Sequence, residues 1–360
     1  MNIAFFCIPA HGHTNPTLAV VRELTARGHT VRYYTTEAFR AKVEAAGAVF
    51  VPFDTEAARP GMTAADGARL GSDLAFSTKL IVDLTLADDD WLSRELTAHR
   101  PDVIVGDSMA FWAKLAAKKH GIPFVSSTTT FAFNRFSAKV IGQNGAGFLQ
   151  FLLAQPRINR QLKRLRAAGY AVKSVFDIIA NDNETETVVY TSPDFQPCAD
   201  TFSEKYHFVG PLLRPAQSSF EKLPGRSLIC ISLGTVNNDA LPFYRACLAA
   251  FGGDPRFQLV LSAGTQTDLA ALGPIPESCT VRASVDQMAV LDCADVFLTH
   301  CGMNSASEGL WHGLPLVLYP QTPEQHGVAN RVAALGAGVP LTDPSADGIR
   351  RAVETALTDP

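Results

Sequence analysis

The sequence predicts an α/β fold with two doubly wound parallel sheets, one in each half of the chain. Its 360 residues suit about two domains of roughly 150 to 200 residues each. Short, almost wholly apolar runs are typical of strands buried on both faces of a parallel sheet. In both halves these runs alternate with helical patterns over short connections, as in right-handed βαβ units.

The first strand is predicted over residues 2–8, and a helix follows it directly. Asn15 suits the N-cap of this helix, Pro16 suits its first position and Gly28 suits the residue after its end. The pattern continues with strands at 30–35, 49–53, 103–106 and 123–126 and helices at 37–46, 72–98 and 111–120.

Residues 134–186 break this alternation and are predicted to be helical and mixed. They include the basic run 157–166, whose apolar residues recur at helical spacing. This run predicts an exposed amphipathic helix or, alternatively, a helix that lies on an anionic membrane surface or contacts a charged acceptor.

Strands return at 188–190 and 208–209, and a polar, turn-rich stretch follows. We therefore expect an N-terminal domain at 1–213, a linker at 214–226 and a C-terminal domain at 227–360. The second domain has predicted strands at 228–232, 257–261, 280–281, 296–299 and 316–319, and helices at 241–251, 287–293, 305–312 and 326–335. Open α/β sheets bind ligands at the carboxyl ends of their strands, so we expect a cleft between the two sheets.

Composition and charge exclude several classes of protein. Hydrophobic residues make up 47% and charged residues 18%, which is a globular composition. The net charge of −4 provides no basic field to hold a polyphosphate, so no nucleic-acid partner is expected. No apolar run reaches the ~20 residues that a bilayer span needs, and the N-terminus lacks a basic leader. We expect a cytoplasmic protein without stable membrane insertion, as a monomer or weak dimer.

Seven cysteines are scattered along the chain without a C-x-x-C pair. An odd number in this arrangement argues against a disulfide framework. We expect reduced, mostly buried thiols.

The strongest local pattern lies at residues 299–308, where a strand ends and a helix begins. Gly302 allows a close backbone approach, and the amides of Asn304 and Ser305 would open the helix, so a phosphate can bind there without a metal. Glu308 follows one turn later, where a carboxylate can accept hydrogen bonds from a ribose diol. Alternatively, Asn304, Ser305 and Glu308 only cap and solvate the helix.

Two other strand ends carry weaker signals. Gly234 and Thr235 follow a buried strand and can face the same phosphates. Glu324 and Gln325 follow another strand and offer the acceptors and donors that sugar hydroxyls need. The alternative for Glu324 and Gln325 is that they simply start the next helix.

His11 and His13 lie at the tip of the first strand, against a predicted helix N-terminus. The positive helix end would lower the pKa of His13 and favour a neutral imidazole, and a nearby carboxylate would fix its tautomer. Asp107, at the end of the 103–106 strand, is the candidate carboxylate, although it can equally cap the next helix. The acidic run 88–90 has the spacing of a D-x-D metal site but falls inside a predicted helix, so a solvated face is favoured and no metal site is expected.

These motifs resemble the family 1 UDP-glycosyltransferases, and most closely their bacterial macrolide-type branch. The matching segments follow the family's order through nearly the whole chain: His11-Gly-His-Thr-Asn-Pro16, Val209-Gly-Pro211, Ser232-Leu-Gly-Thr235, His300-Cys-Gly-Met-Asn-Ser305 with Glu308, and Pro320 with Glu324-Gln325. The resemblance implies the GT-B fold, in which two Rossmann-like domains face each other across a cleft. It implies that the N-terminal domain binds the acceptor and the C-terminal domain binds the nucleotide sugar.

The resemblance also assigns roles to single residues. His13 would deprotonate the acceptor hydroxyl, with Asp107 as its partner. The donor site would consist of a diphosphate part at Thr235, His300, Gly302, Asn304 and Ser305, a ribose part at Glu308, and a sugar part at Glu324 and Gln325. The implied transfer inverts the anomeric carbon and uses neither metal nor cofactor, since the UDP-sugar is a co-substrate.

Two departures from the family pattern concern the nucleobase and the C-terminus. The family's aromatic-Val-Pro-Gln stretch is Ser284-Val-Asp-Gln287 here, so Gln287 matches but the aromatic does not, and UDP and TDP both remain open. The sequence ends at Pro360, where relatives continue through a further helical tail.

The expected reaction is transfer of a hexose, with glucose favoured, from a UDP-sugar to a hydroxyl of a hydrophobic small molecule. A macrolide, a flavonoid or another polyketide would suit the apolar, aromatic side chains of the N-terminal half, among them Phe131, Phe133, Phe148 and Phe151. The alternatives are a nucleotide-sugar epimerase of GT-B type and a non-catalytic nucleotide-sugar-binding protein.

Overall fold

The computed structural model describes residues 1–53, 73–137, 148–179, 181, 183–235 and 237–358, with only the backbone of 148–152. The chain divides into two compact units between Leu212 and Leu213. Each unit is built on a sheet whose described strand pairs are all parallel.

The first unit contains a seven-stranded sheet with the order β3-β2-β1-β4-β5-β6-β7. Its strands are β1 (Asn2–Phe6), β2 (Thr30–Thr35), β3 (Val49–Pro52), β4 (Val103–Asp107), β5 (Phe124–Thr128), β6 (Thr187–Val189) and β7 (Tyr206–Phe208). Its helices are α1 (His11–Ala26), α2 (Arg40–Ala45), α3 (Leu74–Ala87), α4 (Asp89–His99), α5 (Phe111–His120), α6 (Phe148–Ala167) and α7 (Phe176–Ile179), with short 3-10 turns at Glu37–Phe39 and Ala199–Thr201. The central strands β1 and β4 are apolar and buried on both faces, as a doubly wound sheet requires.

Helix α1 begins five residues earlier than the sequence predicts. Ala10 is its N-cap and Pro16 lies inside it, so the prediction that Asn15 caps the helix is wrong. Pro16 and its neighbours Thr14 and Thr17 are buried against the sheet, and this packing outweighs the amide hydrogen that proline lacks. The predicted end is correct, because Gly28 follows the C-cap with φ +81°.

The long helix predicted over 72–98 is two helices, α3 and α4, which meet at Asp88. Asp89 begins α4 and does not form a solvated face: its carboxylate accepts from Lys119 Nζ at 2.6 Å and from the Tyr170 hydroxyl at 2.7 Å. These contacts place Asp89 in a structural ion pair, whereas Asp90 is exposed, as predicted for a solvated face. In the part of the chain that the structure describes, no group of three metal-ligating side chains comes together.

The basic run 157–166 lies in α6, and its apolar stripe is not available to a membrane. Ile158, Leu162 and Leu165 are buried in a cluster with Val82 of α3 and Leu115 of α5. The predicted exposed amphipathic helix is therefore confirmed: residues 157–166 bury their apolar stripe in the unit and expose their charged side chains, so the stripe does not lie on a membrane. Among the described helices, none combines the length and apolarity that crossing a bilayer would take.

The second unit contains a six-stranded sheet with the order β10-β9-β8-β11-β12-β13. Its strands are β8 (Ser227–Ser232), β9 (Phe257–Ser262), β10 (Cys279–Arg282), β11 (Val296–Thr299), β12 (Leu316–Leu318) and β13 (Gly338–Pro340). Its helices are α8 (Leu241–Phe251), α9 (Gln287–Leu291), α10 (Met303–Trp311), α11 (Pro323–Ala334) and α12 (Ala346–Thr358), with a 3-10 turn at Leu269–Leu272. Strand β13 was not predicted, because its three residues include Gly338 and Pro340, which are uncommon in strands. Helices α10 and α11 begin two and three residues earlier than predicted, since Gly302 and Thr322 are their N-caps.

The strand registers decide which loops meet. In the first unit β1 pairs with β4, with Phe6 opposite Gly106, so the loops after these strands share one edge of the sheet. In the second unit Thr299 of β11 lies opposite both Ser232 and Leu318, which brings the loops after β8, β11 and β12 together. All seven cysteines are free thiols and five of them are buried, as predicted.

Candidate active site

His13 and Asp107 form a hydrogen-bonded pair at the carboxyl edge of the first sheet. His13 is the third residue of α1, and Asp107 is the last residue of β4. His13 Nδ1 lies 2.7 Å from Asp107 Oδ2, so the predicted pairing is formed. Asp107 is 1% exposed, and its other oxygen accepts from the Met109 amide at 2.9 Å.

This contact fixes the tautomer of His13. A carboxylate can only accept, so the hydrogen is on Nδ1 and Nε2 is the basic nitrogen. The His13 side chain is 17% exposed, whereas the Asp107 side chain is wholly buried. The pair thus has the arrangement of a general base with a buried carboxylate that stabilises its protonated form.

Thr129 is a third member of this site that the sequence did not predict. Its Oγ1 lies 3.1 Å from His13 Nδ1, and the residue is 2% exposed. The only sequence signal was a run of three threonines, 128–130, at the end of a strand.

His11 takes no part in the pair. It is exposed, lies 3.4 Å from Lys42 Nζ and packs edge-on against Phe39. Partial burial and the charge of Lys42 lower the pKa of His11. Of the two histidines at the tip of β1, His13 is the one that contacts Asp107 in the described chain.

The aromatic residues expected to contact an acceptor are placed differently from one another. Phe131 is buried against Phe195, with ring centroids 5.3 Å apart, and presents no open surface. Phe133 is 41% exposed. The side chains of Phe148 and Phe151 lie outside the described residues.

The segment between the two aromatics is anchored by Gln196. The Gln196 side chain accepts from the Ala132 amide at 2.9 Å and donates to the Ala132 carbonyl at 3.0 Å. Because Gln196 is buried, the loop after β5 is held by contacts that solvent does not reach.

In the second unit, His300 lies between two glycines at the end of β11. An added Cβ would lie 2.5 Å from His300 Nε2 at Gly234 and 2.6 Å from it at Gly302. Burial lowers the pKa of His300 to about 4, so the imidazole is neutral at pH 7. Its Nδ1 is buried and makes no hydrogen bond within the described chain.

The N-terminus of helix α10 lies beside His300, because its N-cap Gly302 is one of the two glycines next to that ring. Gly302 is the N-cap, and Asn304 and Ser305 are the second and third helical residues. The first turn of a helix carries outward-facing amides and positive partial charge. A neutral histidine donor and a helix N-terminus together suit an anion such as a diphosphate.

Gln287 and Glu308 are in contact, although they are 21 residues apart. Gln287 Nε2 donates to Glu308 Oε2 at 2.5 Å and lies 3.4 Å from Ser305 Oγ. Burial raises the pKa of Glu308, and the Gln287 hydrogen bond and the Arg214 charge partly oppose this effect. The structure thus brings together the residues expected at the ribose and nucleobase end of the donor.

Asp286, which the sequence did not single out, ties the predicted linker to this region. Its Oδ2 accepts from the amides of Gln217 and Ser218 at 2.6 and 2.9 Å. These bonds, together with Arg214 at 3.7 Å from Oδ1, lower the pKa of Asp286 against the effect of burial.

The remaining predicted donor residues lie on the neighbouring loops. Thr235 is exposed, and the carbonyl of Gly234 before it accepts from buried Asn238 at 3.1 Å. Gln325 Oε1 accepts from the Gln321 amide at 2.8 Å and from the Thr322 amide at 3.2 Å, and the second bond is part of a capping box with Thr322.

The structure therefore confirms the alternative prediction for the Gln325 side-chain oxygen, which is that it helps to start the next helix. Glu324 is exposed in the first turn of the same helix.

Comparisons with known proteins agree over both units. Residues 280–360 match the family described as UDP-glucoronosyl and UDP-glucosyl transferase. The chain is 33% identical to NDP-glycosyltransferase YjiC of Bacillus licheniformis, over 100% of this chain and 90% of that protein. It is also 33% identical to demethyllactenocin mycarosyltransferase of Streptomyces fradiae, over 99% of this chain and 80% of that protein. The crystal structure of the glycotransferase of kitacinnamycin matches with a TM-score of 0.82 at 31% identity, over 100% of this chain and 91% of that chain.

Proposed function

The chain belongs to the bacterial macrolide-type branch of the family 1 UDP-glycosyltransferases and has the GT-B fold, and on this premise we propose an inverting hexosyltransferase with His13 as general base. Members of this family transfer a sugar from a nucleotide sugar to a small-molecule acceptor. The observation that carries the proposal is the 2.7 Å contact between His13 Nδ1 and the buried carboxylate of Asp107.

The acceptor half of the reaction is assigned to the first unit. His13 Nε2 takes the proton from the acceptor hydroxyl as its oxygen attacks the anomeric carbon, and Asp107 stabilises the imidazolium that forms. The new bond forms on the face opposite the leaving diphosphate, so the anomeric configuration inverts. Exposed Phe133 supports an apolar acceptor such as a polyketide.

The donor half is assigned to the second unit. The bond from the anomeric carbon to the diphosphate breaks, and negative charge develops on the leaving oxygen. Asn304 and Ser305 at the N-terminus of α10, with Gly302, His300 and Thr235 beside them, would stabilise this charge, so we propose that the transfer needs no metal and no cofactor.

The other donor contacts follow from the same placement. We propose that Glu308 binds the ribose and that Gln287 holds the Glu308 carboxylate in place. We propose that Glu324 and the side-chain NH₂ group of Gln325 bind the sugar. Glucose carried by UDP is the donor we propose, although one relative is named a mycarosyltransferase.

The test is mass spectrometry of products after incubation with UDP-glucose and a panel of macrolide and phenolic acceptors. We expect a hexose adduct, at least about 10²-fold slower with His13→Ala and unchanged with His11→Ala, since only His13 contacts Asp107. NMR of the product would give the anomeric configuration, which we expect to be β from an α-linked donor.

Three outcomes would contradict the proposal. Full activity of His13→Ala would remove the base assignment. Conversion of UDP-glucose to another nucleotide sugar without acceptor would indicate an epimerase. Binding of UDP by calorimetry without any turnover would indicate a non-catalytic binder.

A further inference from the structure

We propose that Thr129 is a positioning residue for His13, whose hydroxyl holds the imidazole ring in the orientation that presents Nε2 to the acceptor. This inference rests on the proposed function, because it concerns the residue assigned as base. Neither Thr129 nor any residue of β5 was singled out by the motifs in the sequence.

The strand register brings Thr129 to the pair. Strand β5 lies next to β4, with Ser127 opposite Asp107, and Thr129 is the first residue after β5. His13 Nδ1 therefore has two neighbours from two adjacent strands, Asp107 Oδ2 at 2.7 Å and Thr129 Oγ1 at 3.1 Å.

The roles of the two contacts differ. Nδ1 carries one hydrogen, which Asp107 accepts over the shorter distance, so Thr129 is the second acceptor of the same hydrogen. A single hydrogen bond leaves an imidazole ring able to turn about the line that joins the donor nitrogen to the acceptor oxygen. A second acceptor on another strand restricts that rotation.

Both acceptors are themselves fixed. The second oxygen of Asp107 is held by the Met109 amide, and Thr129 is 2% exposed and β-branched, which restricts its side-chain rotamer. A preorganised base needs no reorientation when the acceptor hydroxyl arrives. The second acceptor also favours the protonated ring, because hydrogen bonds from a cation are the stronger ones.

The decisive variant is Thr129→Val, which keeps the branched shape in a buried position and removes the hydroxyl. We expect kcat to fall about 10-fold and the acid limb of the kcat–pH profile to move to lower pH, with the KM for UDP-glucose unchanged. Thr129→Ser retains the oxygen and should keep kcat within about twofold.

Thr130→Val is the matched control. Its hydroxyl donates to the Phe131 carbonyl at 3.4 Å and not to His13, so wild-type kcat and an unmoved acid limb are expected. Thermal denaturation of each variant would verify that it folds, and Thr129→Ala would replace the valine variant if that one does not.

A measurement that needs no turnover separates this inference from the proposed function. With ¹⁵N-labelled histidine, NMR reports which ring nitrogen of His13 carries the hydrogen, and His13→Ala assigns the signal. Because Asp107 is unchanged, we expect the Nδ1–H tautomer in the wild type and in both Thr129 variants. We expect broader ring signals in Thr129→Val, whose imidazole is less restricted, and wild-type line widths in Thr129→Ser.

Two results would overturn the role of Thr129. One is a Thr129→Val protein with wild-type kcat, acid limb and ring line widths, and the other is a Thr129→Ser protein as slow as Thr129→Val. If His13→Ala were fully active while Thr129→Val still broadened the ring signals, the base assignment would fail and the contact would stand.

Discussion

His300 occupies a space that only glycine leaves open. Gly234 and Gly302 bracket its ring, and at either position a methyl group would lie within 2.6 Å of Nε2. Gly234 also has φ +81°, which other residues rarely adopt, whereas Gly302 has an ordinary φ of −62°. Gly302 is therefore the cleaner position at which to test the placement of His300.

Gly302→Ala should weaken UDP binding about 10-fold, because the added methyl group must displace the His300 ring from the N-terminus of α10. Isothermal titration calorimetry with UDP measures this directly. Gly253→Ala is the matched control, since nothing lies within 4 Å of its Cβ position and its φ is not in the left-handed region. Equal affinity of the two variants would show that His300 does not contact the nucleotide.

The sequence led to His13 and Asp107, and the reason is general: parallel strands that neighbour each other end at one edge of the sheet. Thr129 could not be found in this way. The predicted strand ended at residue 126, whereas β5 continues to Thr128, so the position just after the strand was misplaced by two residues. Three identical threonines in a row then gave no signal for which of them faces the histidine.

At the scale of elements, local sequence signals gave the correct bounds of helices and strands where side-chain packing agreed with them, and wrong bounds where it did not. Helix α5 and strand β11 have the predicted bounds. Asn15 and Pro16 have all the local properties of a helix start, but α1 begins earlier, and Pro16 is packed inside it beside buried Thr14 and Thr17. The periodicity of residues 72–98 likewise gave no sign of the break at Asp88, after which Asp89 pairs with distant Lys119.

The amphipathic pattern of α6 shows what sequence periodicity does and does not determine. It identified the apolar stripe of Ile158, Leu162 and Leu165, but periodicity alone cannot name the surface that the stripe covers. In the structure that surface is provided by α3 and α5.

Leu162→Ala should lower the free energy of unfolding by about 2 to 5 kcal/mol, since it removes a side chain that is 1% exposed and leaves a cavity. Lys163→Ala, on the exposed face of the same helix, should change it by no more than about 0.5 kcal/mol. Urea denaturation followed by tryptophan fluorescence reports on this unit, because Trp91 and Trp112 lie in it and Trp311 can be replaced by phenylalanine. Similar losses from both variants would mean that the stripe does not support the unit.

At the scale of the whole molecule, the two units carry different parts of the proposed reaction. The His13 pair is built from strands and helices of the first unit, and the candidate donor site from those of the second. The resemblance of the sequence motifs to the family implied this division, which stays a prediction. The hydrogen bonds that brace each unit were not predictable, because Gln196, Asn238 and Asp286 join segments that are distant in sequence.

The buried histidine of the second unit makes its stability depend on pH. The pKa of His300 is about 4 in the folded chain, below the 6.5 of an unperturbed histidine. The unfolded state therefore takes up this proton at a higher pH than the folded state does. Stability is therefore constant above about pH 6.5 and is lost progressively towards pH 4, by about 3 kcal/mol in total. Glu308, whose pKa is raised by burial, contributes the opposite slope.

Comparison with His300→Asn isolates the histidine, because Glu308 is present in both proteins. We expect the stability of the variant relative to wild type to rise by about 3 kcal/mol between pH 7 and pH 4. Hydrogen exchange of the β8 and β11 amides, followed by mass spectrometry, measures the free energy of unfolding of the second unit alone. His326→Gln, at an exposed position in α11, should follow the wild-type curve throughout. If the His300→Asn and wild-type curves ran parallel from pH 7 to pH 4, the ring would be accessible to protons in the folded state, and the neutral imidazole proposed beside the diphosphate would have to be abandoned.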